Sequence, residues 1–440
     1  MKIGFAFLLS IGLYLLPLQA QERKIDFEEY TLDNGLKVLL HEDHSTPIVA
    51  VTVTYHVGSK NEDPDRTGFA HFFEHLLFEG SENIDRGEFD MYVQQSGGTN
   101  NAYTTPDKTH YYEVFPSNQL EMGLWLESER MLHAKVEEVG IETQREVVKE
   151  ERRQRYENQP YGTIALEISR RLFKNHPYRW PTIGSMEHLN AAQEEDYVNF
   201  YKTFYVPKNA ILSIAGDIDI PQTKKLIEKY FGTIPRGTND IMRPQVEEAP
   251  IAEEVRDTVY DNIQLPAVVQ AYRIPGVGEE DYYAMEMLSA VLSQGESSRL
   301  YKALVDEQQK ALFVGNQNQP LEDYGISLAF GFVNMGVDPN DLEAAMDAEI
   351  SKIQEELISE REFQKVRNQM EAEFISSNST MAGIAGSLAD YEMFYGDANL
   401  INTELERFMK VTRKDIRRVA REYLDPNKRV VLYYLPKPNQ

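Results

Sequence analysis

Between Val49 and Val57 apolar and polar residues alternate, which predicts a half-buried strand. Ahead of it, Asn34-Gly35 separates two short apolar runs within Tyr30–Leu40, a strong signal for a β-hairpin. A helix is expected from about Phe69 to Phe78, after a loop holding Gly58 and Pro64. Tyr103 to Phe115 reads as a strand and Gln119 to Ala134 as a helix. Ile141 to Tyr156 reads as a long charged helix ended by Asn158-Gln159-Pro160.

A repeat organises the rest. Asp196-Tyr197-Val198 runs through Phe204 to Pro207 and into the apolar run Ala210–Ile214; Asp415-Ile416-Arg417 runs through Tyr423 to Pro426 and into Arg429–Tyr433. The offset is 415 − 196 = 219 and again 426 − 207 = 219, half the chain length without a gap. Each copy reads as helix, Pro-bearing turn and buried strand. The polar, Pro/Gly-bearing stretch from Pro235 to Pro250 has the composition of a linker. The expected architecture is therefore α+β: two duplicated domains of about 220 residues, each a β-sheet flanked by helices. Their expected bounds are 21–238 and 256–440, joined by a linker at 239–255.

The N-terminus changes the picture of where such a chain works. Met1-Lys2, an apolar run from Ile3 to Leu16 and a small residue at Ala20 read as a cleaved signal peptide over residues 1–20. The apolar run is shorter than the ~20 residues that span a bilayer. The expectation is export, to a periplasm or beyond, without stable membrane insertion.

Composition then restricts the chemistry. With 45 basic and 71 acidic residues the 440-residue chain carries a net charge of −26, which argues against nucleic acid as a partner. The absence of cysteine removes disulfides, thiolate metal sites and cysteine nucleophiles. A metal would have to be held by His and carboxylate. All nine histidines lie between positions 41 and 188.

Among them, His71-Phe72-Phe73-Glu74-His75 carries the strongest signal. On a helix, i and i+4 share a face, so both imidazoles can reach one ion, with Glu74 beside it to address a water. At this composition about 0.02 random matches to H-x-x-E-H are expected. It is the inverse of the H-E-x-x-H zinc-peptidase motif. A third ligand has to come from elsewhere. The helix Glu142–Glu151 offers carboxylates, and spacing alone leaves Glu146, Glu150 and Glu151 open. His41, His44, His56, His110 and His133 lack ligand spacing and read as surface or strand residues, and His176 as a loop residue.

At these residues the sequence resembles the pitrilysin/insulysin and mitochondrial-processing-peptidase group of zinc metallopeptidases. The resemblance runs through Leu32–Leu36, Val57-Gly58-Ser59, Gly68–Phe78, Asn101–Thr105, Arg145–Glu151, His176-Pro177-Tyr178 and Tyr205–Asp217. It implies zinc, one ion per chain, bound by His71, His75 and Glu151, with Glu74 as catalytic base. It implies peptide substrates bound by β-addition along the strand around Asn101-Ala102, and thus a zinc metalloendopeptidase. Two departures stand out. Many members carry a second glutamate two helical turns before the third ligand, where this chain has Gln144. Related chains also carry an Arg and a Tyr, seven residues apart, in the second half; Val305 and Leu312 stand at those places, while the nearby Arg299 and Tyr301 have the wrong spacing.

The family clamshell needs four such domains, and this chain supplies two. The resemblance therefore implies a homologous partner subunit bringing the missing Arg/Tyr pair, a heterodimer rather than a homodimer. The rival expectation is a non-catalytic zinc-binding scaffold or chaperone-like subunit of a peptidase complex.

Overall fold

The computed structural model describes residues 24–438; the expected signal segment lies outside them. The first half holds strands β1 (Glu28–Thr31), β2 (Lys37–Glu42) and β3 (Ile48–Tyr55), helices α1 (Phe69–Leu76) and α2 (Glu88–Gln95), strands β4 (Thr99–Thr104) and β5 (Thr109–Pro116), helices α3 (Leu120–Leu132), α4 (Glu138–Arg152), α5 (Ile164–Leu172), α6 (Met186–Ala191) and α7 (Glu194–Phe204), strand β6 (Ala210–Gly216) and helix α8 (Ile220–Phe231). The second half holds β7 (Val255–Asp261), β8 (Ala267–Pro275), α9 (Tyr282–Ser293), β9 (Ala311–Gln319), β10 (Tyr324–Val333), α10 (Pro339–Glu355), α11 (Glu360–Ser377), α12 (Met381–Tyr395), α13 (Leu400–Lys410), α14 (Arg413–Tyr423) and β11 (Val430–Pro436). No helix of the described residues is long and apolar enough to cross a membrane.

The strands form two sheets, ordered β1-β2-β6-β3-β5-β4 and β7-β11-β8-β10-β9. Without β1 the two orders superpose strand for strand. In each, one parallel pair (β2 with β6, β7 with β11) is followed by antiparallel neighbours only. The repeated segments fall on α7–β6 and α14–β11. Their two aspartates do the same local job: Asp196 accepts the Gln193 N–H and Asp415 the Thr412 N–H, both at 2.9 Å, closing capping boxes at the helix starts.

The single strand expected over Tyr103–Phe115 is instead a hairpin, β4 and β5 around Thr105–Lys108. Pro106 and Asp107 turn the chain there, with the Thr105 hydroxyl accepting the N–H groups of Asp107 and Lys108 at 3.1 Å. This leaves β4 at a sheet edge.

Successive strand residues point to opposite faces, and each face has its own cover. Val38, Leu40, Val51 and Leu212 pack against α1, α3, α4, α7 and α8 of the same half. Leu39, Ala50, Ile211 and Ala215, on the other face, pack against Met381, Ile384, Ala385 and Leu388 of α12. The second sheet reciprocates: Val269, Ala271, Val430 and Leu432 pack against Ile168 and Leu172 of α5. Each half thus lends one helix to the other's sheet. Between the halves, Lys60 is buried with Asp107 at 2.9 Å, Glu322 at 2.5 Å and Asp323 at 3.1 Å. Residues 232–254 form no helix or strand, and in them Glu248 accepts the N–H groups of Lys174, Asn175 and His176.

Candidate metal centre

Helix α1 is built to be held from one side. Phe69, Phe72, Phe73 and Leu76 are buried in the first core, with Tyr197 of α7 stacked on Phe69 at 4.6 Å and tilted against Phe72 at 4.5 Å. The helix begins at Gly68, whose φ of +100° suits glycine; a Cβ there would meet the Ile183 carbonyl oxygen at 2.8 Å. The Gly68 and Ala70 N–H groups are accepted by the buried carboxylate of Glu62 at 2.8 and 2.9 Å. At the other end the Tyr111 hydroxyl donates to the Phe73 carbonyl at 2.9 Å.

The apolar stripe inward leaves His71, Glu74 and His75 toward the opposite face, with His71 nearly buried and the other two half-buried. Helix α4 packs alongside α1 through Ile141 and Val148. Arg145 anchors it, donating to the carbonyls of Leu189 and Ala192. This fixes which carboxylate of α4 meets the histidines. Glu151 Oε2 lies 3.2 Å from His75 Nε2 and 3.6 Å from His71 Nε2. Glu146 and Glu150 lie exposed and pair instead with Lys149 at 2.7 Å and Arg153 at 3.1 Å. Among the described residues, His71, His75 and Glu151 are the one set of three metal-ligating side chains whose donor atoms lie within 4.8 Å of one another.

The geometry suits a small tetrahedral ion. Bonds of about 2.0–2.1 Å at tetrahedral angles set donor atoms about 3.3 Å apart, against the 3.2 and 3.6 Å found. Glu151 Oε2, though buried, has no hydrogen-bond partner, so it is an acceptor aimed between two imidazoles and satisfied by nothing else. Its other oxygen takes the Arg155 guanidinium at 2.9 Å. Burial works against ionisation of Glu151, but the two imidazoles of His71 and His75 beside it outweigh burial and hold its carboxyl well below the usual range. Two nitrogens and one carboxylate, with no sulfur, form a donor set suited to zinc.

The remaining expected residues are placed as follows. Asn101 and Ala102 lie on the edge strand β4, where the Asn101 side-chain oxygen accepts the Ala102 N–H at 2.9 Å. Gln144 does not reach the histidines through any hydrogen bond; its amide donates to Glu79, which also pairs with Arg86. Val305 lies in the π-helical turn Tyr301–Glu307, partly buried against the second core, and Leu312 is 51% exposed on β9. Arg299 is committed to Glu362 at 2.8 Å.

Two contributors escape motif reading. Glu62 acts through backbone N–H groups, which leave no spacing signature. Arg155 does have one, four residues after Glu151 on a helical path, but the Arg-Arg-Gln-Arg run hides it among solvated charges.

Known proteins resemble this chain along nearly its whole length. The family model described as Insulinase (Peptidase family M16) matches residues 37–185, and the one described as Peptidase M16 inactive domain matches residues 192–370. The zinc protease PqqE of Helicobacter pylori is 30% identical over 422 residues, 95% of each chain. The uncharacterized zinc protease YmxG of Bacillus subtilis is 24% identical over 364 residues, covering 81% of this chain and 86% of that one. Among solved structures, a protease from Helicobacter pylori superposes with a TM-score of 0.90 at 30% identity, covering 94% of this chain and 100% of that one. The periplasmic protease PqqL of Escherichia coli shares the fold at a TM-score of 0.75 and 19% identity; it covers 93% of this chain, which spans 48% of PqqL. An inverted His-x-x-Glu-His helix facing a glutamate of α4, on a duplicated fold matched nearly end to end by a zinc protease, places this chain in the M16 family of peptidases.

Proposed function

We propose that this chain is a zinc-dependent endopeptidase acting on peptides or unfolded polypeptide segments, with one zinc ion held by His71, His75 and Glu151. The observation that carries the proposal is the convergence of those three side chains around an otherwise unsatisfied Glu151 oxygen. Zinc held by these residues would supply Lewis-acid chemistry, making a nearby water a stronger acid. Glu74, between the two histidines on α1, takes the proton of the attacking water and passes it to the leaving amine as the C–N bond breaks. Edge strand β4 receives the substrate backbone beside Asn101 and Ala102, and the Asn101 side chain gives up the Ala102 N–H to it. Gln144 steadies the segment after α1 through Glu79.

A homologous subunit supplies the Arg/Tyr pair that Val305 and Leu312 replace, and the mature protein acts after export, in a periplasm or outside the cell. The same two substitutions favour a second reading, a zinc-binding scaffold subunit without hydrolytic activity.

The test is Glu74→Gln. General acid–base catalysis contributes about 10²- to 10⁴-fold. The variant is expected to lose at least that much peptidase activity while keeping its zinc. Wild-type protein should lose activity in EDTA and regain it on adding zinc. Activity retained by pure Glu74→Gln protein would overturn the assignment of the base. Zinc-loaded wild-type protein that cleaves nothing with any homologous partner would favour the scaffold.

A further inference from the structure

The duplication gives the metal centre a counterpart in the second half. Gly80 after α1 and Gly295 after α9 both have positive φ, +130° and +80°. Counting back from each, His75, Glu74 and His71 correspond to Ala290, Ser289 and Glu286. Helix α4 corresponds to α11; with buried Ile141 and Val148 set against buried Phe363 and Met370, Glu151 corresponds to Glu373. Both imidazoles are gone, yet a glutamate remains on each helix.

The space between them is an open cavity of about 660 Å³, bounded by α9, α11 and β9. Its lining includes Glu286, Glu296 and Glu373 and no Lys, Arg or His. Asn316 and Asn318 of β9 are 7% and 8% exposed, and the side-chain oxygen of each has no hydrogen-bond partner. The Gln294 side-chain oxygen is likewise buried and unpartnered. Asn318 spends its amide hydrogens on the Met285 carbonyl at 2.9 Å and on Glu286 Oε1 at 3.1 Å, so its side-chain oxygen is left as an acceptor without a donor. Phe313 and Phe330, with ring centroids 5.9 Å apart, and Tyr301 add aromatic faces.

From this we infer that the second half holds a recognition pocket for a guanidinium or ammonium group, the side chain of an arginine or lysine in a bound polypeptide. The ligand must bring donors and positive charge, because the wall offers acceptors, carboxylates and aromatic faces and contains no cation. A bare divalent ion does not suit it. Such an ion needs oxygens wrapped at about 2.0–2.6 Å, and among the described residues no trio of metal-ligating side chains other than His71, His75 and Glu151 is close enough. Burial pushes the Glu286 carboxyl up to about 7, against the Asn318 hydrogen bond and with help from the charge of Glu373, as expected of a site short of positive charge. The pocket is separate from the metal centre and needs no hydrolysis there.

The test uses zinc-free full-length protein, so that loss of peptidase activity and loss of this preference are separate results. It is titrated with a capped hexapeptide carrying one central arginine, and with the same peptide carrying citrulline, which keeps the shape and loses the charge. Charge-assisted hydrogen bonds predict about tenfold tighter binding of the arginine peptide. Glu286→Gln and Glu373→Gln should each erase most of that preference. Glu373 is exposed on α11, so its variant keeps the fold even if Glu286→Gln does not. Equal affinity for the two peptides, no detectable binding of either, or a preference that survives in Glu373→Gln and in a folded Glu286→Gln overturns the proposal. So does a site that takes calcium in a Glu286-dependent way and ignores arginine.

Discussion

Glu62 Oε1 accepts the Ala70 N–H at 2.9 Å, tying a buried loop carboxylate to the first turn of the helix that carries His71 and His75. Oε2 accepts the Gly68 N–H at 2.8 Å. Burial pushes this carboxyl from its ordinary 4.5 up to about 8, against the pull of the backbone N–H groups of Gly68, Ala70 and Phe69.

The consequence is a pH-dependent stability of defined sign. Between about 4.5 and 8 the folded chain holds a proton on Glu62 that the unfolded chain has released. Stability therefore falls as pH rises through that window and levels off above it. One proton is worth about 1.4 kcal/mol per pH unit at most. Glu62→Gln should remove that share of the slope, measured as urea unfolding free energy from pH 5 to 8. An unchanged slope would show that Glu62 stays ionised in the fold.

Replacing Glu151 by Gln keeps the shape of the candidate metal centre and removes its anion. Zinc affinity, read by competition with a chelating dye, should fall by at least about a hundredfold, more than the 10–100-fold typical of groups that only orient ligands. Glu150→Gln is the control. Its carboxylate is exposed and pairs with Arg153, so zinc affinity should not move. Comparable losses in both would mean that the charge of α4, rather than one ligand, holds the metal.

Leu388 lies in the second half but is fully buried against the first sheet, beside Leu39 and Ile211. Leu388→Ala should cost about 2–5 kcal/mol. Its signature is location: amide exchange should quicken in β2, β3 and β6, more than 170 residues away in sequence. Faster exchange confined to α12 and α13 would contradict the reciprocal packing.

The proposed partner subunit predicts how the purified chain behaves. Alone it should bind zinc and cleave peptides slowly. A homologous chain carrying Arg and Tyr at the places of Val305 and Leu312 should raise the rate and co-elute with it in size-exclusion chromatography. Full activity of the isolated chain would remove the need for a partner.

Much of this was legible in the sequence, because it rests on local periodicity. The i, i+4 spacing of His71 and His75 marks a helix face whatever surrounds it, and the 219-residue offset marks the duplication. The third carboxylate was not legible from spacing. Glu146, Glu150 and Glu151 share one charged helix, and only the packing of Ile141 and Val148, with Arg145 anchoring, selects among them. The β4–β5 turn was hidden because Thr105–Lys108 is short and both flanks read as strand. The exchange of α5 and α12 left no local trace. An apolar helix reads the same whether it covers its own sheet or another, and its contacts are long-range.

That exchange also sets an order of events during synthesis. The first sheet has all its strands once residue 216 has been made, but the helix for its second face ends at Tyr395. Until then Leu39, Ala50, Ile211 and Ala215 face water, and closing that face waits on contacts far apart in the chain. Neither half can finish early. The polypeptide stays open until its last quarter has emerged, and both sheets then close nearly together.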